Sequence, residues 1–184
     1  MERPYEAELV EERLIVWDPK QGSEIYKLGF FGKPVGIPKP KIMEFDVPLT
    51  LDLIEGLYLL EKGVIKIRSS SGKYLSVKEL FVQGEKHHER FRLKYMVYEN
   101  LRDRGYVVTP GIKFGCDFAV YERGPGIDHA PFLVSIKTEK SRIDALEIVR
   151  AGRLATTVKK NFIVAIPNPR TGRVKYLMFK WWKP

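Results

Sequence analysis

Two side chains that can move protons stand eight residues apart in this chain, Tyr121 and His129, at the ends of the run Tyr121-Glu-Arg-Gly-Pro-Gly-Ile-Asp-His129. A basic run, Thr157-Val-Lys-Lys160, follows further on. A phenol, an imidazole and an ammonium can together cut RNA without a metal ion. One group takes the proton of the 2′-hydroxyl, a second protonates the leaving 5′-oxygen, and a cation offsets the charge of the pentavalent phosphorane. The 2′-oxygen is the nucleophile, so the products are a 2′,3′-cyclic phosphate and a 5′-hydroxyl. His129 suits the acid, since an unperturbed imidazole titrates at about pH 6.5. Lys160 suits the cation as a compact ammonium. Tyr121 has two roles open. A phenol of pKa about 10 is a poor base at neutral pH, but neighbouring lysines favour the phenolate. It can equally donate a hydrogen bond to the phosphate. Each residue also has a plain structural reading: a core cap for Tyr121, a surface loop for His129, and a complement to a helix C-terminus for Lys160.

Metal-dependent cleavage, as in a DNA nuclease, is the competing chemistry. Sheet nucleases of that kind often set an Asp on one strand and an acid-x-Lys on the next. Asp117 can be the first acid, but Ser135 stands where the second would fall, ahead of Lys137. Magnesium prefers carboxylate and water oxygens, so the serine weighs against it. His87 and His88 open a polar helix and read as solvated. The single cysteine, Cys116, excludes an internal disulfide and a cysteine-based zinc site. No metal or other cofactor is expected.

Positioning the tyrosine and histidine takes a sheet. Phe114, Phe118 and Val120 alternate with polar or small residues before Tyr121, and Pro131–Ile136 is a second extended run. The Gly-Pro-Gly link joins them as a hairpin with a long loop. Around it the pattern predicts a charged helix over 86–104 with Phe91, Tyr95, Val97, Tyr98 and Leu101 buried, then strands at 106–109, 114–120 and 131–136. A helix follows over 143–156 through Ile143, Leu146, Val149 and Leu154, then a buried strand at 162–166 and a last strand at 174–182. The order α-β-β-β-α-β-β predicts a mixed sheet flanked by helices.

Residues 1–85 read as a smaller α/β domain. Two short strands lie within 7–17, and Asp18–Gly22 reads as a turn. Residues 29–41 hold three prolines, three glycines and three lysines without periodicity and read as a loop. Thr50 is placed to cap a helix bearing Leu53, Ile54, Leu57 and Leu60, ending at Gly63; Val64–Arg68 is a strand. Ser76 and Glu79 form a capping box. The expected architecture is therefore mixed α/β (α+β), with domains at 1–85 and 86–184.

Composition agrees with a nucleic-acid partner. The net charge of +9 is split unevenly: residues 1–85 carry 12 basic and 14 acidic residues, a net of −2, and residues 86–184 carry 20 and 9, a net of +11. A basic half with interleaved Tyr, Phe and Trp suits a phosphate backbone and stacked bases. An apolar share of 44% is enough for a core. No apolar run approaches the ~18 residues a membrane helix needs, and the polar N-terminus lacks a secretory signal. A reducing, cytoplasmic setting is expected.

Three motifs in order, Gly111–Tyr121, Gly124–Pro131 and Ala151–Lys160, resemble the tRNA-splicing endonucleases, most strongly over residues 86–184. The resemblance implies the family's restriction-endonuclease-like catalytic domain and a Tyr/His/Lys triad on Tyr121, His129 and Lys160. It further implies metal-independent cutting of precursor tRNA at a bulge-helix-bulge. By motif position Arg153 and Trp181 look like the residues that sandwich a bulged base at another subunit's site, a role that suits their flat side chains. Many self-assembling members dock an acidic loop, before the last strand, into a neighbour. Here that loop, Asn168–Arg173, is basic. The resemblance then implies a partner chain that supplies the acidic contact, in a heterotetramer of two catalytic and two structural chains of crenarchaeal type. The Lys33–Lys41 loop looks like an insertion of crenarchaeal catalytic subunits, which implies that Lys33, Lys39 or Lys41 reaches substrate phosphate. Alternatives are a homotetramer of the same family and a noncatalytic RNA-binding or structural subunit.

Overall fold

A computed structural model describes residues 4–37, 40, 42–157 and 160–179, and for residues 150 and 154–157 the backbone only. Lys39, Lys41 and Trp181 lie outside the described residues. The chain divides into two compact units, residues 1–91 and 92–184.

The first unit is built on a five-stranded mixed sheet. Strands β1 (Tyr5–Val10), β2 (Arg13–Val16), β3 (Lys33–Pro34), β4 (Leu49–Asp52) and β5 (Ile65–Arg68) lie in the order β3-β4-β2-β1-β5. All neighbours are antiparallel except β1 and β5. Leu14, Val16, Leu49, Leu51, Ile65 and Ile67 are buried at alternate strand positions, the two-residue period of a half-buried sheet. Helix α2 (Leu53–Glu61) adds Leu53, Leu57 and Leu59 to this core.

Local chemistry sets the helix starts. Asp18 and Pro19 do not make a turn; they open helix α1 (Pro19–Lys27). The Asp18 carboxylate accepts from the Lys20 and Gln21 amides at 2.8 and 3.4 Å, and proline occupies a first-turn position where its missing N–H costs nothing. The cap of α2 is Asp52, not Thr50. Thr50 lies within β4, while Asp52 and Glu55 form a reciprocal capping box. Ser76 and Glu79 make the expected box on α3 (Val77–His87). The loop over 29–41 contains β3, tied back to β4.

The predicted helix over 86–104 is two helices. α3 ends at His87, Arg90 takes a left-handed φ of 58°, and α4 runs from Phe91 to Arg102. A non-glycine residue in that region interrupts the helical hydrogen-bond ladder. His87 pairs with Glu12 at 2.9 Å. His88 is not solvated as its polar surroundings suggest: its ring stacks on Phe91, and its Nε2 is buried with no hydrogen-bond partner among the described residues.

The second unit is a sheet of order β10-β9-β8-β7-β6. It comprises β6 (Val107–Pro110), β7 (Phe118–Tyr121), β8 (Phe132–Ile136), β9 (Asn161–Asn168) and β10 (Arg173–Phe179). Only β8 and β9 are parallel, and α5 (Ala145–Thr157) makes their crossover. Tyr95, Val97, Tyr98 and Leu101 of α4 are buried as their spacing predicts, and Phe91 is likewise buried. Two expectations fail. Phe114 is not in β7 but in a 3-10 turn, Ile112–Phe114, closed by Gly115 at φ 65°. On α5, Leu146 and Val149 are 56% and 38% exposed, while Ile143 just before the helix and Ala151 within it face the core. Helical periodicity located the α5 helix but not its buried face, because that face is chosen by the sheet beneath it. Among the described residues, no helix is long and apolar enough to cross a membrane.

Candidate functional site

Topology brings the three candidate reacting groups to one end of the second sheet. Tyr121 is the last residue of β7. The chain then loops and enters β8, antiparallel to β7, so His129 lies just before the start of β8 at that same end. β9 is parallel to β8, with Asn161 in register with Phe132, so Lys160 also lies there. Tyr121 is half-buried and packs against a core cluster of Ala119, Ala130, Leu133, Phe162 and Val164, whereas His129 is exposed. Among the described residues, neither the Tyr121 hydroxyl nor the His129 ring makes a hydrogen bond.

Lys160 is held more tightly. Its Nζ donates to the carbonyl oxygen of Ala130 at 2.5 Å and lies 5.3 Å from the centroid of the Phe114 ring. The peptide after Lys160 continues the tie: the Asn161 amide and its Nδ2 donate to the Pro131 carbonyl at 2.8 and 3.3 Å. Burial pushes the Lys160 ammonium below the ordinary lysine range, and the Asp128 carboxylate acts in the opposite sense. This cation is partly stripped of water, which strengthens its attraction for a phosphate.

The loop between Tyr121 and His129 is organised by Asp128. Its carboxylate accepts three backbone N–H bonds: Glu122 at 3.2 Å, Arg123 at 3.0 Å and Gly124 at 2.8 Å. Burial opposes ionisation of Asp128, but these donors outweigh it and hold the carboxyl below its usual range. Gly124 and Gly126 adopt φ values of 134° and 87°, which the turn requires and side-chain-bearing residues resist. Sequence reading missed Phe114, the Ala130 carbonyl and Asp128. For Asp128 a signal existed, because an Asp that closes a glycine-rich loop characteristically binds nearby backbone amides.

The other candidates are placed as follows. Arg153 lies on α5 with an exposed side chain. Lys33 lies in β3 of the first unit, exposed, in register with Thr50. The Asn168–Arg173 segment is the turn joining β9 to β10, with the Asn168 side-chain oxygen accepting the Arg170 and Thr171 amides at 3.0 and 3.2 Å. Asp117, the candidate first acid of a metal site, spends one carboxylate oxygen on the Ile136 amide of β8 at 2.7 Å. Among the described residues, no group of three or more His, Cys, Asp or Glu is gathered as metal ligands would be.

Comparison with known proteins agrees in both units. Residues 5–81 match the model of the tRNA intron endonuclease N-terminal domain, and residues 91–176 match the catalytic C-terminal domain of the same family. Among relatives aligned over nearly their whole length, the tRNA-splicing endonuclease of Hyperthermus butylicus is 49% identical over 172 residues, covering 94% of this chain and 95% of its own. Those of Sulfurisphaera tokodaii and Sulfolobus acidocaldarius are 46% and 41% identical, each alignment covering at least 96% of this chain and 98% of the relative. With both domain models matched in order and near-complete alignments at such identity, this chain belongs to the tRNA intron endonuclease family.

Proposed function

We propose that this chain is the catalytic subunit of a tRNA-splicing endonuclease, cutting precursor tRNA at bulge-helix-bulge exon–intron junctions without a metal ion. The observation that carries the reading is the gathering of a phenol, an imidazole and a partly desolvated ammonium at one sheet end, on three separate chain segments. Lys160 turns from the Ala130 carbonyl to the scissile phosphate and offsets the phosphorane charge. His129, exposed at the same sheet end, protonates the leaving 5′-oxygen. Tyr121 either takes the 2′-hydroxyl proton or donates to a phosphate oxygen. The products are a 2′,3′-cyclic phosphate and a 5′-hydroxyl. The metal-dependent alternative is disfavoured by its donors: Asp117 is committed to the Ile136 amide and Ser135 replaces the second acid.

Substrate recognition is completed by other chains in this reading. Arg153 and Trp181 stack a bulged base at a neighbouring subunit's site. The turn from β9 to β10, with Arg170 and Arg173, has the wrong charge to enter a basic cleft, so a structural subunit supplies the acidic contact in a two-plus-two heterotetramer. The decisive assay incubates bulge-helix-bulge RNA with this chain and a candidate structural subunit in EDTA. Cleavage to a cyclic phosphate that is lost in His129→Ala is expected. Cleavage only on addition of magnesium refutes the chemistry, and an active tetramer of this chain alone refutes the assembly.

A further inference from the structure

The geometry points to Asp128 as a positioning residue for the cleavage reaction, acting through the Tyr121–His129 loop and through Lys160. This rests on reading Tyr121, His129 and Lys160 as the reacting groups. The carboxylate sits at the neck of the loop. Its two oxygens gather the amides of Glu122, Arg123 and Gly124, the three residues directly after Tyr121, while the next residue in the chain is His129. The Ile127 and Asp128 amides both return to the Gly124 carbonyl at 3.1 Å, and Pro125 and Asp128 form a β-bridge. One side chain thus closes the loop whose two ends are the phenol and the imidazole. A loop with glycines at positive φ has many alternative conformations, and three charge-assisted bonds select one of them.

Asp128 also acts on the third group through its charge. Its negative charge favours the ammonium form of Lys160, whose burial works against that form. Ala130, two residues on, supplies the carbonyl to which Lys160 donates. The other titratable groups at this sheet end are Glu122, Arg123 and His129 on the same loop and Tyr121 on β7, and the Arg123 charge also acts on Asp128; Phe114, on which the ammonium rests, is uncharged. Loss of the carboxylate therefore disturbs the spacing of two reacting groups and the charge of the third. It does not remove an atom that touches substrate.

The test uses the assembly that cleaves bulge-helix-bulge RNA, with Asp128→Asn and Asp128→Glu. The asparagine keeps the volume but offers an NH2 where an acceptor oxygen met an amide. The glutamate keeps the charge but is too long for the neck. Single-turnover cleavage by either variant should fall about 10- to 100-fold, the penalty for roughly ångström-scale misplacement of reacting groups, with RNA Kd within about twofold of wild type. A second measurement needs no cleavage: the pH dependence of Lys160 acylation, followed by peptide mass spectrometry. Removing a nearby negative charge lowers the pKa of an ammonium, so the midpoint should move to lower pH in Asp128→Asn and stay near wild type in Asp128→Glu. Wild-type cleavage by both variants, or an unmoved acylation midpoint in Asp128→Asn, overturns the proposal. So does a rate loss fully matched by weakened RNA affinity or by an unfolded circular-dichroism spectrum in both variants. If instead the wild-type assembly fails to cleave in EDTA, or His129→Ala cleaves normally, the functional reading has failed; the acylation profile then still decides whether Asp128 and Lys160 are coupled.

Discussion

Gly111→Ala is the substitution that most directly joins the fold to the site. Gly111 opens the turn that carries Phe114 to Lys160: its carbonyl accepts the Phe114 and Cys116 amides at 2.8 and 3.3 Å, and its amide donates to the Asp117 carbonyl at 3.0 Å. A Cβ there would stand 2.5 Å from the Cys116 sulfur, 2.8 Å from the Cys116 carbonyl oxygen and 2.8 Å from the Phe118 carbonyl carbon. Ordinary contact between such atoms begins near about 3.5 Å, so backbone must move by roughly 0.7 Å or more. The φ of Gly111, −91°, is open to any residue, so the penalty is crowding and not backbone conformation. Overpacking of this kind costs about 1–3 kcal/mol. In a chain of this size that is a fall in Tm of roughly 2–12 °C. The same shift moves Phe114 away from Lys160, and cleavage should drop about 10- to 100-fold. Thermal unfolding and single-turnover cleavage are to be measured together, with Gly111→Ala/Cys116→Ala as the companion. That double variant relieves the clash with sulfur but neither clash with backbone, so it should recover only part of the loss. A wild-type Tm for Gly111→Ala, or full recovery in the double variant, would show that backbone crowding is not what keeps glycine there.

Burial pushes the Cys116 thiol up to about 11, with Asp117 adding to the rise; at about pH 8 its thiolate fraction is then about a hundredfold below that of an ordinary cysteine, and iodoacetamide alkylation should slow in proportion. Alkylation at the rate of a small free thiol would contradict the burial of the turn. Glu79 is lowered to about 2, first by its bond from Lys73 and then by the Ser76 amide and hydroxyl. Its folded pKa lies below its unfolded one, so its contribution is complete above an unfolded value of about 4.3 and is lost as pH falls towards about 2. The denaturation midpoint of Glu79→Gln should therefore lie below wild type at neutral pH and converge with it in that acid window; a pH-independent difference would be inconsistent with the capping carboxylate. Finally, neutralising Lys33, Lys39 and Lys41 together should weaken cleavage of relaxed motifs and flatten the salt dependence of RNA binding, by roughly 0.7–0.9 in log–log slope for each phosphate no longer neutralised. An unchanged slope would remove the loop from the RNA interface.

Much of the element order was legible because its signals are local. Ser76 with Glu79, the alternation through Phe118 and Val120, and the buried positions of α4 each declare themselves within a few residues. Errors arose where one signal had two meanings. Asp18-Pro19 reads as a turn or as a helix start, and only the amides of Lys20 and Gln21 decide. The apolar positions of α5 predict a helix but not that Leu146 and Val149 turn outward. The break at Arg90 has no glycine or proline to mark it.

Residue types and their order established which reactive groups are available: one phenol and one imidazole across a glycine-rich link, a lysine beyond the next helix, and no second acid beside Asp117. Residue type sets which protons can move, and that information needs no fold. That these groups share one sheet end comes from the folded chain. The antiparallel pairing of β7 with β8 and the parallel pairing of β8 with β9 join segments that lie about thirty residues apart in the chain, from Ala130 to Lys160. Folding also sets how Lys160 is desolvated against Phe114 and how Asp128 closes the loop. Burial, hydrogen bonding and charge act through distance in space, and separation along the chain does not specify that distance.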